Sequence, residues 1–292
     1  MREHLIIPDA QVTPDTPQDH LDWIGQYIVD QKPDVVVNIG DFWDFESLSS
    51  YDYGKKAAEG RRVDADAKAG CAAMDRLLKP LNEYNQKKSA WKEKQYRPEM
   101  HFTEGNHEER VKRAAQMDAK IDGLLPDVQL MVEHFGWTFH PFLKPVEVDG
   151  VHYVHYVQNP RTGRPLGGES CDTRLKNVGY SFTMGHQQGL KSAIRELTNG
   201  RLIRGLICGS SYLHDEDYCG FQGNSYWRGI IYKHEVFDGC YDLMEVSLDY
   251  LCRRYEGMPV SDYMKKKYPD IFHHSVWLQR LDARRQQMRA AA

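Results

Sequence analysis

The stretch Asp34-Val35-Val36-Val37-Asn38-Ile39-Gly40-Asp41-Phe42-Trp43-Asp44 decides how this chain is read. From Asp34 to Ile39 it is a β-branched, nearly unbroken apolar run, the pattern of a strand covered on both faces, and Gly40-Asp41 ends it in a turn that carries a carboxylate. Upstream, Leu5-Ile6-Ile7 is a second short apolar run, followed by Pro8-Asp9-Ala10-Gln11. Between the two, Thr16-Pro17-Gln18-Asp19 offers an N-cap, a first-turn proline and an early acid ahead of Leu21, Ile24 and Ile28 at helical spacing. Strand, helix and parallel strand in that order begin an α/β fold.

The same arrangement recurs downstream. Met100-His101-Phe102-Thr103 runs into Gly105-Asn106-His107-Glu108, and the apolar segment from Tyr180 to Met184 runs into Gly185-His186-Gln187-Gln188. Four polar clusters thus sit at the carboxyl ends of apolar runs. Asp, Asn and His are oxygen and imidazole ligands for divalent cations, and glycine beside them lets the backbone turn sharply. The clusters predict one metal site assembled from separate loops.

Elsewhere, residues 64–88 carry Ala67, Cys71, Met74, Leu77, Leu78 and Leu81 at helical spacing, with Pro80 expected to kink or end the helix and Lys87 to Lys94 to form a polar connector. Alternating runs around Asp149-Gly150 predict a hairpin over residues 146–155, and Asp238-Gly239 predicts another. Residues 188–197 read as a helix. The sum is an α/β fold of two packed mixed β-sheets flanked by helices, in one domain over residues 1–252. Residues 253–292 form a basic, partly helical tail with nine Lys/Arg against four Asp/Glu. Within it Val276, Leu278, Leu281 and Met288 mark one face of a terminal helix, and Arg280, Arg284, Arg285 and Arg289 the other. A helix docked on its own domain is preferred to a nucleic-acid-binding arm.

Over 292 residues, 41% hydrophobic and 27% charged residues suit a globular enzyme, and a formal charge of −4 gives no global case for nucleic acid. The six cysteines show no C-x-x-C pair, so reduced, buried thiols are expected. With no long apolar run and no leader pattern, neither a membrane partner nor secretion is expected, and the location read from the sequence is cytoplasmic.

In order and spacing the four clusters resemble the calcineurin-like metallophosphoesterase superfamily, whose pattern is D-x-H, G-D-x-x-D, G-N-H-D/E, a lone His and G-H-x-H. The resemblance spans roughly residues 3 to 250. Ser47-Leu48-Ser49 and a late segment with Trp227 and Gly229 look most like variants encoded in phages and prophages, which would place the protein in a host cytoplasm. The resemblance implies that Asp41 bridges two cations, that Asn106, His155 and His186 complete one site, and that Asp9 belongs to the other. His155 is preferred to His152 as the lone His because it immediately precedes a loop. His107 would protonate the leaving oxygen, with Asp44 orienting its imidazole and Asn106 beside the reacting phosphate.

Two positions depart from the family pattern: Gln11 stands where D-x-H has its His, and Gln188 where G-H-x-H has its second. An amide oxygen is a neutral, harder and weaker ligand than imidazole, so this site should favour Mn²⁺ or Mg²⁺ over Zn²⁺, with Fe and Ni also compatible. Three readings stay open: a dinuclear centre with one amide-rich site, a single ion at the His-rich site, or a catalytically inactive metal- or nucleic-acid-binding module. The reaction implied is metal-activated hydroxide attack on phosphorus, in a phosphodiesterase or nuclease; a protein or small-molecule phosphomonoesterase is the alternative. Candidate substrate-binding residues are His107, Arg161, Tyr212, His214 and Trp227, with Arg164, Arg174, Tyr226 and Arg228 nearby in sequence.

Overall fold

The computed structural model describes residues 1–52, 54–159, 161–166 and 170–291. The first runs form strands as expected: β1 (Arg2–Ile7), β2 (Val35–Asn38) and β3 (Glu99–Thr103) pair in parallel, and β4 (Thr138–His140) extends the sheet beside β3. Every residue of β2 is buried, as its continuous apolar run requires. The second sheet begins with the hairpin β5 (Val146–Val148) and β6 (Val151–Tyr153), followed by β7 (Ser181–Met184), β8 (Leu190–Glu196) and β9 (Leu202–Cys208). The chain then returns to the first sheet as β10 (Gly229–Phe237) and β11 (Cys240–Ser247), giving the orders β11-β10-β1-β2-β3-β4 and β5-β6-β7-β9-β8. This is an α/β fold of two mixed sheets, six- and five-stranded, flanked by helices. Ile6, Val35 and Val37 of the first sheet share one buried cluster with Val151, Tyr153, Leu206 and Cys208 of the second, so the sheets pack face to face.

Both hairpins turn as predicted, with positive φ at Asp149 (51°), Gly150 (81°), Asp238 (46°) and Gly239 (79°). Those values are the mirror-image turn that matches strand twist. Gly150 and Gly239 also lie back to back: a Cβ on Gly150 would meet the Gly239 nitrogen at 2.4 Å.

Four expectations are corrected. Residues 188–197 are not helical: from Leu190 they form the edge strand β8, paired antiparallel with β9 from Leu190–Cys208 to Glu196–Leu202. Lys191, Arg195 and Glu196 favour a helix locally, but register against β9 decides, as often where a half-buried edge is available. The helix Val63–Ala90 runs straight through Pro80, taking in part of the expected connector. Its Leu77, Leu78 and Leu81 are buried against the helix Asp19–Gln31, where Gly25 lets Leu77 and Pro80 approach closely. Three buried leucines at about 1.5–3 kcal/mol each outweigh the roughly 3 kcal/mol that an interior proline costs. Thr16 does not cap the first helix, which begins at Asp19; its hydroxyl bonds to the Thr13 backbone instead.

The fourth correction concerns the tail. The boundary at 252/253 falls inside the helix Leu248–Glu256, and Met264, Phe272, Trp277 and Leu278 are buried in the same cluster as Leu5, Ile24 and Val36. Buried Asp19 receives hydrogen bonds from Tyr263 and Tyr268 and pairs with Lys267 and Arg76. Helix Val276–Ala291 docks at its start and leaves Met288 exposed. Among the described residues, no helix is long and apolar enough to cross a membrane.

Candidate metal centre

The parallel strands deliver their following loops to one end of the sheets, and there the polar clusters meet. Asp41 Oδ2 lies 3.1 Å from His155 Nε2, and Asn106 Oδ1 lies 3.0 Å from His155 Nε2 and 2.7 Å from His186 Nδ1. Ligand atoms of Asp41, His155 and His186 all fall within 4.8 Å of one another. His155 Nδ1 faces the Ile39 carbonyl at 2.9 Å and donates to it, which fixes the ring with Nε2 turned to Asp41 and Asn106. Four ligand-type atoms converge on one point, and the donor set of one carboxylate, one amide oxygen and two imidazoles fits a divalent cation. His152, by contrast, stacks on Tyr180 with ring centroids 4.1 Å apart.

The loops are held in costly shapes. Gln11, Asp41, His186 and Gln188 all have positive φ, at 44°, 50°, 66° and 57°. Such left-handed conformations in non-glycine residues concentrate at functional sites. Glycines make room: a Cβ on Gly105 would meet Asp41 Oδ1 at 2.1 Å, and one on Gly185 would meet Asp9 Oδ1 at 2.2 Å. The brace is Glu108, whose role the sequence reading did not assign. Its fully buried carboxylate accepts from the backbone nitrogens of Asp41 (2.9 Å), Phe42 (2.7 Å), Trp43 (3.0 Å) and Gly105 (3.0 Å).

His107 and Asp44 form a buried pair through Nδ1, and Asp41 Oδ2 lies 3.7 Å from His107 Nε2. Burial works against the imidazolium, but the charges of Asp41 and Asp44 win and raise its pKa; Arg110, 3.2 Å from Nε2, opposes them. His155 is likewise raised to about 9, burial being outweighed by Asp41, whereas burial and then the His155 charge lower His186 to about 4. Asp41 is held well below the usual carboxylate range, since His107 and His155 overcome its burial. Asp9 moves the other way, to about 7, driven first by burial; His155 opposes this and Asp41 adds to it.

Gln11 and Gln188 behave differently from the imidazoles. Each points its amide nitrogen at the hydroxyl of Tyr218, both at 2.6 Å. The Gln188 oxygen accepts from Tyr212 at 2.8 Å and from the Cys219 thiol at 3.2 Å. The Gln188 side chain, expected as a metal ligand, is engaged at both ends in this arrangement, by Tyr212 and Cys219 at one and by Tyr218 at the other. Tyr218 carried no signal in the sequence, because its partners Gln11 and Gln188 come from two distant segments.

The centre opens into a cavity of about 500 Å³ lined by Asp41, Asn106, His107, Arg110, His186 and Tyr218, among others. Asp44, Glu46, Asp52, Asp215 and Glu216 also line it, against the guanidinium groups of Arg61 and Arg110. An anion would enter so acidic a pocket only with added positive charge, which a cation at the imidazoles would provide. Burial, aided by Asp44 and Asp66 and opposed by Arg61, raises Glu46 to about 7.

The candidate substrate residues divide. His107 and His214 line the cavity; His214 is buried rather than in an exposed loop, with Nε2 2.6 Å from Glu216. Tyr212 is buried with its hydroxyl on Gln188, so it offers no face for a base. Arg161 is exposed on a turn outside the cavity. Trp227 lines a separate groove with Tyr226, Trp277 and Arg284. Arg228 is buried between Tyr212 and Trp277.

No family model matches the chain, and neither does any curated protein. Among solved structures, one crystal structure is 14% identical over 84% of this chain and 99% of its own, with a TM-score of 0.32. The protein TT1561 of Thermus thermophilus is 7% identical over 84% of this chain and 98% of its own, with a TM-score of 0.33. Likeness at that level carries no argument about function.

Proposed function

We propose that this chain is a metal-dependent phosphoester hydrolase of the calcineurin-like type. The observation that carries the reading is the convergence of Asp41, Asn106, His155 and His186 beside the buried His107–Asp44 pair, in one cavity. A divalent cation held there supplies charge neutralisation for phosphoryl oxygens and makes water a stronger nucleophile. The chain's own groups do the rest. Asp41, Asn106, His155 and His186 hold the cation, Glu108 fixes the loops that present them, and Asp44 fixes the tautomer of His107. His107, whose pKa the charges of Asp41 and Asp44 raise, serves as the acid for the leaving oxygen as the bond to phosphorus breaks. Arg110 meets the phosphoryl group from the same side.

A phosphodiester is the first substrate to test. The second reading, a small phosphomonoester, is favoured by the acidic rim and by Arg161 and Trp227 lying outside the cavity, an arrangement poorly suited to a long polyanion. Hydrolysis of bis-p-nitrophenyl and p-nitrophenyl phosphate across Mn²⁺, Mg²⁺, Zn²⁺ and EDTA separates the two. Faster turnover of the diester supports a phosphodiesterase and the reverse a monoesterase. Bound metal with no turnover on either, alongside salt-sensitive nucleic-acid binding, would replace both with a binding module.

A further inference from the structure

A second space lies behind one wall of the cavity and carries the opposite charge. It encloses about 550 Å³, and none of its lining residues lines the cavity. The two stand back to back: Gln188 lines the cavity and Gly189 the groove, and Asp215 of the cavity pairs at 3.0 Å with Arg228 of the groove. Arg280 and Arg284, one turn apart on the terminal helix, border the groove with Lys191 at the start of β8. Among the described residues Asp249 is the only carboxylate in its lining, and it already accepts from Arg253 at 3.0 Å and from the Val260 nitrogen at 3.1 Å. Arg284 is exposed, with no ion-pair or hydrogen-bond partner among the described residues. Much of the remaining lining is aromatic. Trp227 is seated against backbone, since a Cβ on Gly209 would meet its ring at 2.8 Å and one on Gly229 at 2.6 Å. Its neighbour Tyr226 is 44% exposed. Flat rings bordered by cations suit a ligand that offers both bases and phosphates, and the rings reach those bases only where they are unpaired. An acidic polymer without bases would engage the cations alone.

We propose that this groove binds single-stranded nucleic acid, stacking bases on Tyr226 and Trp227 and holding phosphates at Lys191, Arg280 and Arg284. The strand lies against the back of the cavity wall instead of entering the cavity, where Glu46, Asp52 and Glu216 repel it. The inference stands apart from the hydrolase reading, because the groove shares no lining residue with the metal centre.

Fluorescence anisotropy of a labelled oligothymidylate with the full chain, in EDTA so that no hydrolysis intervenes, tests it. Wild type should bind, and more weakly as salt rises. Arg280→Glu/Arg284→Glu should weaken binding about tenfold or more and lower the slope of log affinity against log salt by about 1.4, the share of two phosphate contacts on a single strand. Tyr226→Ala should weaken it by roughly 5- to 150-fold with the salt slope unchanged, because stacking releases no counterions. Arg161→Glu/Arg164→Glu makes the same charge change on an exposed turn outside the groove and should bind as wild type does. All the variants alter exposed residues and should keep the wild-type circular dichroism spectrum. No binding by wild type, or an equal loss in the Arg161/Arg164 pair, would overturn the proposal. So would equal competition by polyglutamate or by duplex DNA, which carry charge without exposed bases, and so would unchanged binding in Tyr226→Ala. Turnover with metal present is read separately, and none of these outcomes alters it.

Discussion

His186 and Gln188 are two residues apart on one loop, both in left-handed backbone conformations, yet they serve opposite ends of the centre. His186 turns Nδ1 toward Asn106 Oδ1 and lies beside Asp41; Gln188 is held by Tyr212 and Cys219 at one end of its amide and by Tyr218 at the other. Asp9 and Asp41 make the same contrast, both buried carboxylates, one pushed up to about 7 and the other held low by two imidazoles. The comparison teaches that a shared loop framework can gather cation-ligand side chains on one flank and a hydrogen-bonded side-chain network on the other. Few residue types have to change for the two to diverge.

The largest effect should come from the group closest to both flanks. Asp41→Asn is expected to abolish Mn²⁺ loading and turnover together, measured by mass spectrometry and hydrolysis; retained loading would mean that the imidazole side does not depend on Asp41. His107→Ala should keep the metal and slow turnover by roughly 10²- to 10⁴-fold on leaving groups that need a proton. Full activity on such substrates would remove His107 from the acid role. Glu108→Ala leaves four buried N–H groups without an acceptor and should cost about 3 kcal/mol or more in urea unfolding, with weaker metal binding on the same preparation.

The smallest effect lies outside both flanks and serves as their control. Lys267, Tyr268 and Arg76 overcome the burial of Asp19 and depress its pKa to about 2. A depressed carboxylate contributes stability that is present above its unfolded pKa of about 4 and is lost as pH falls toward about 2. Stability should therefore drop by about 2 kcal/mol over that window, and Lys267→Ala should shrink the drop. A drop unchanged in Lys267→Ala would remove the Asp19–Lys267 pair from the account.

Much of this was legible in the chain because it is local. Asn38-Ile39-Gly40-Asp41 spells strand, turn and carboxylate in four residues, and Asp149-Gly150 spells its hairpin in two. His155, next to a loop, faces Asn106, whereas His152, inside its strand, lies against Tyr180. What escaped was set by distant partners. Edge strand β8 looks helical until β9 lies beside it, and Pro80 looks like a break until Gly25 opens a slot for it. Glu108 stands in plain view in Gly105-Asn106-His107-Glu108, but its task depends on four amides, three of them more than sixty residues upstream. The contacts of Tyr218 exist only once Gln11 and Gln188 are brought together.

Asp215 sits in the segment that carries His214 and Tyr218 to the cavity, and its carboxylate accepts from Ser275 Oγ at 2.8 Å, from the Val276 nitrogen at 2.6 Å and from Arg228 at 3.0 Å. The wall of the cavity is thus moored to the first turn of the terminal helix. Cutting the chain before Ser275 would then slacken the mooring and let that wall shift, so that an edit nearly sixty residues away in sequence would register as a change in the shape of the cavity.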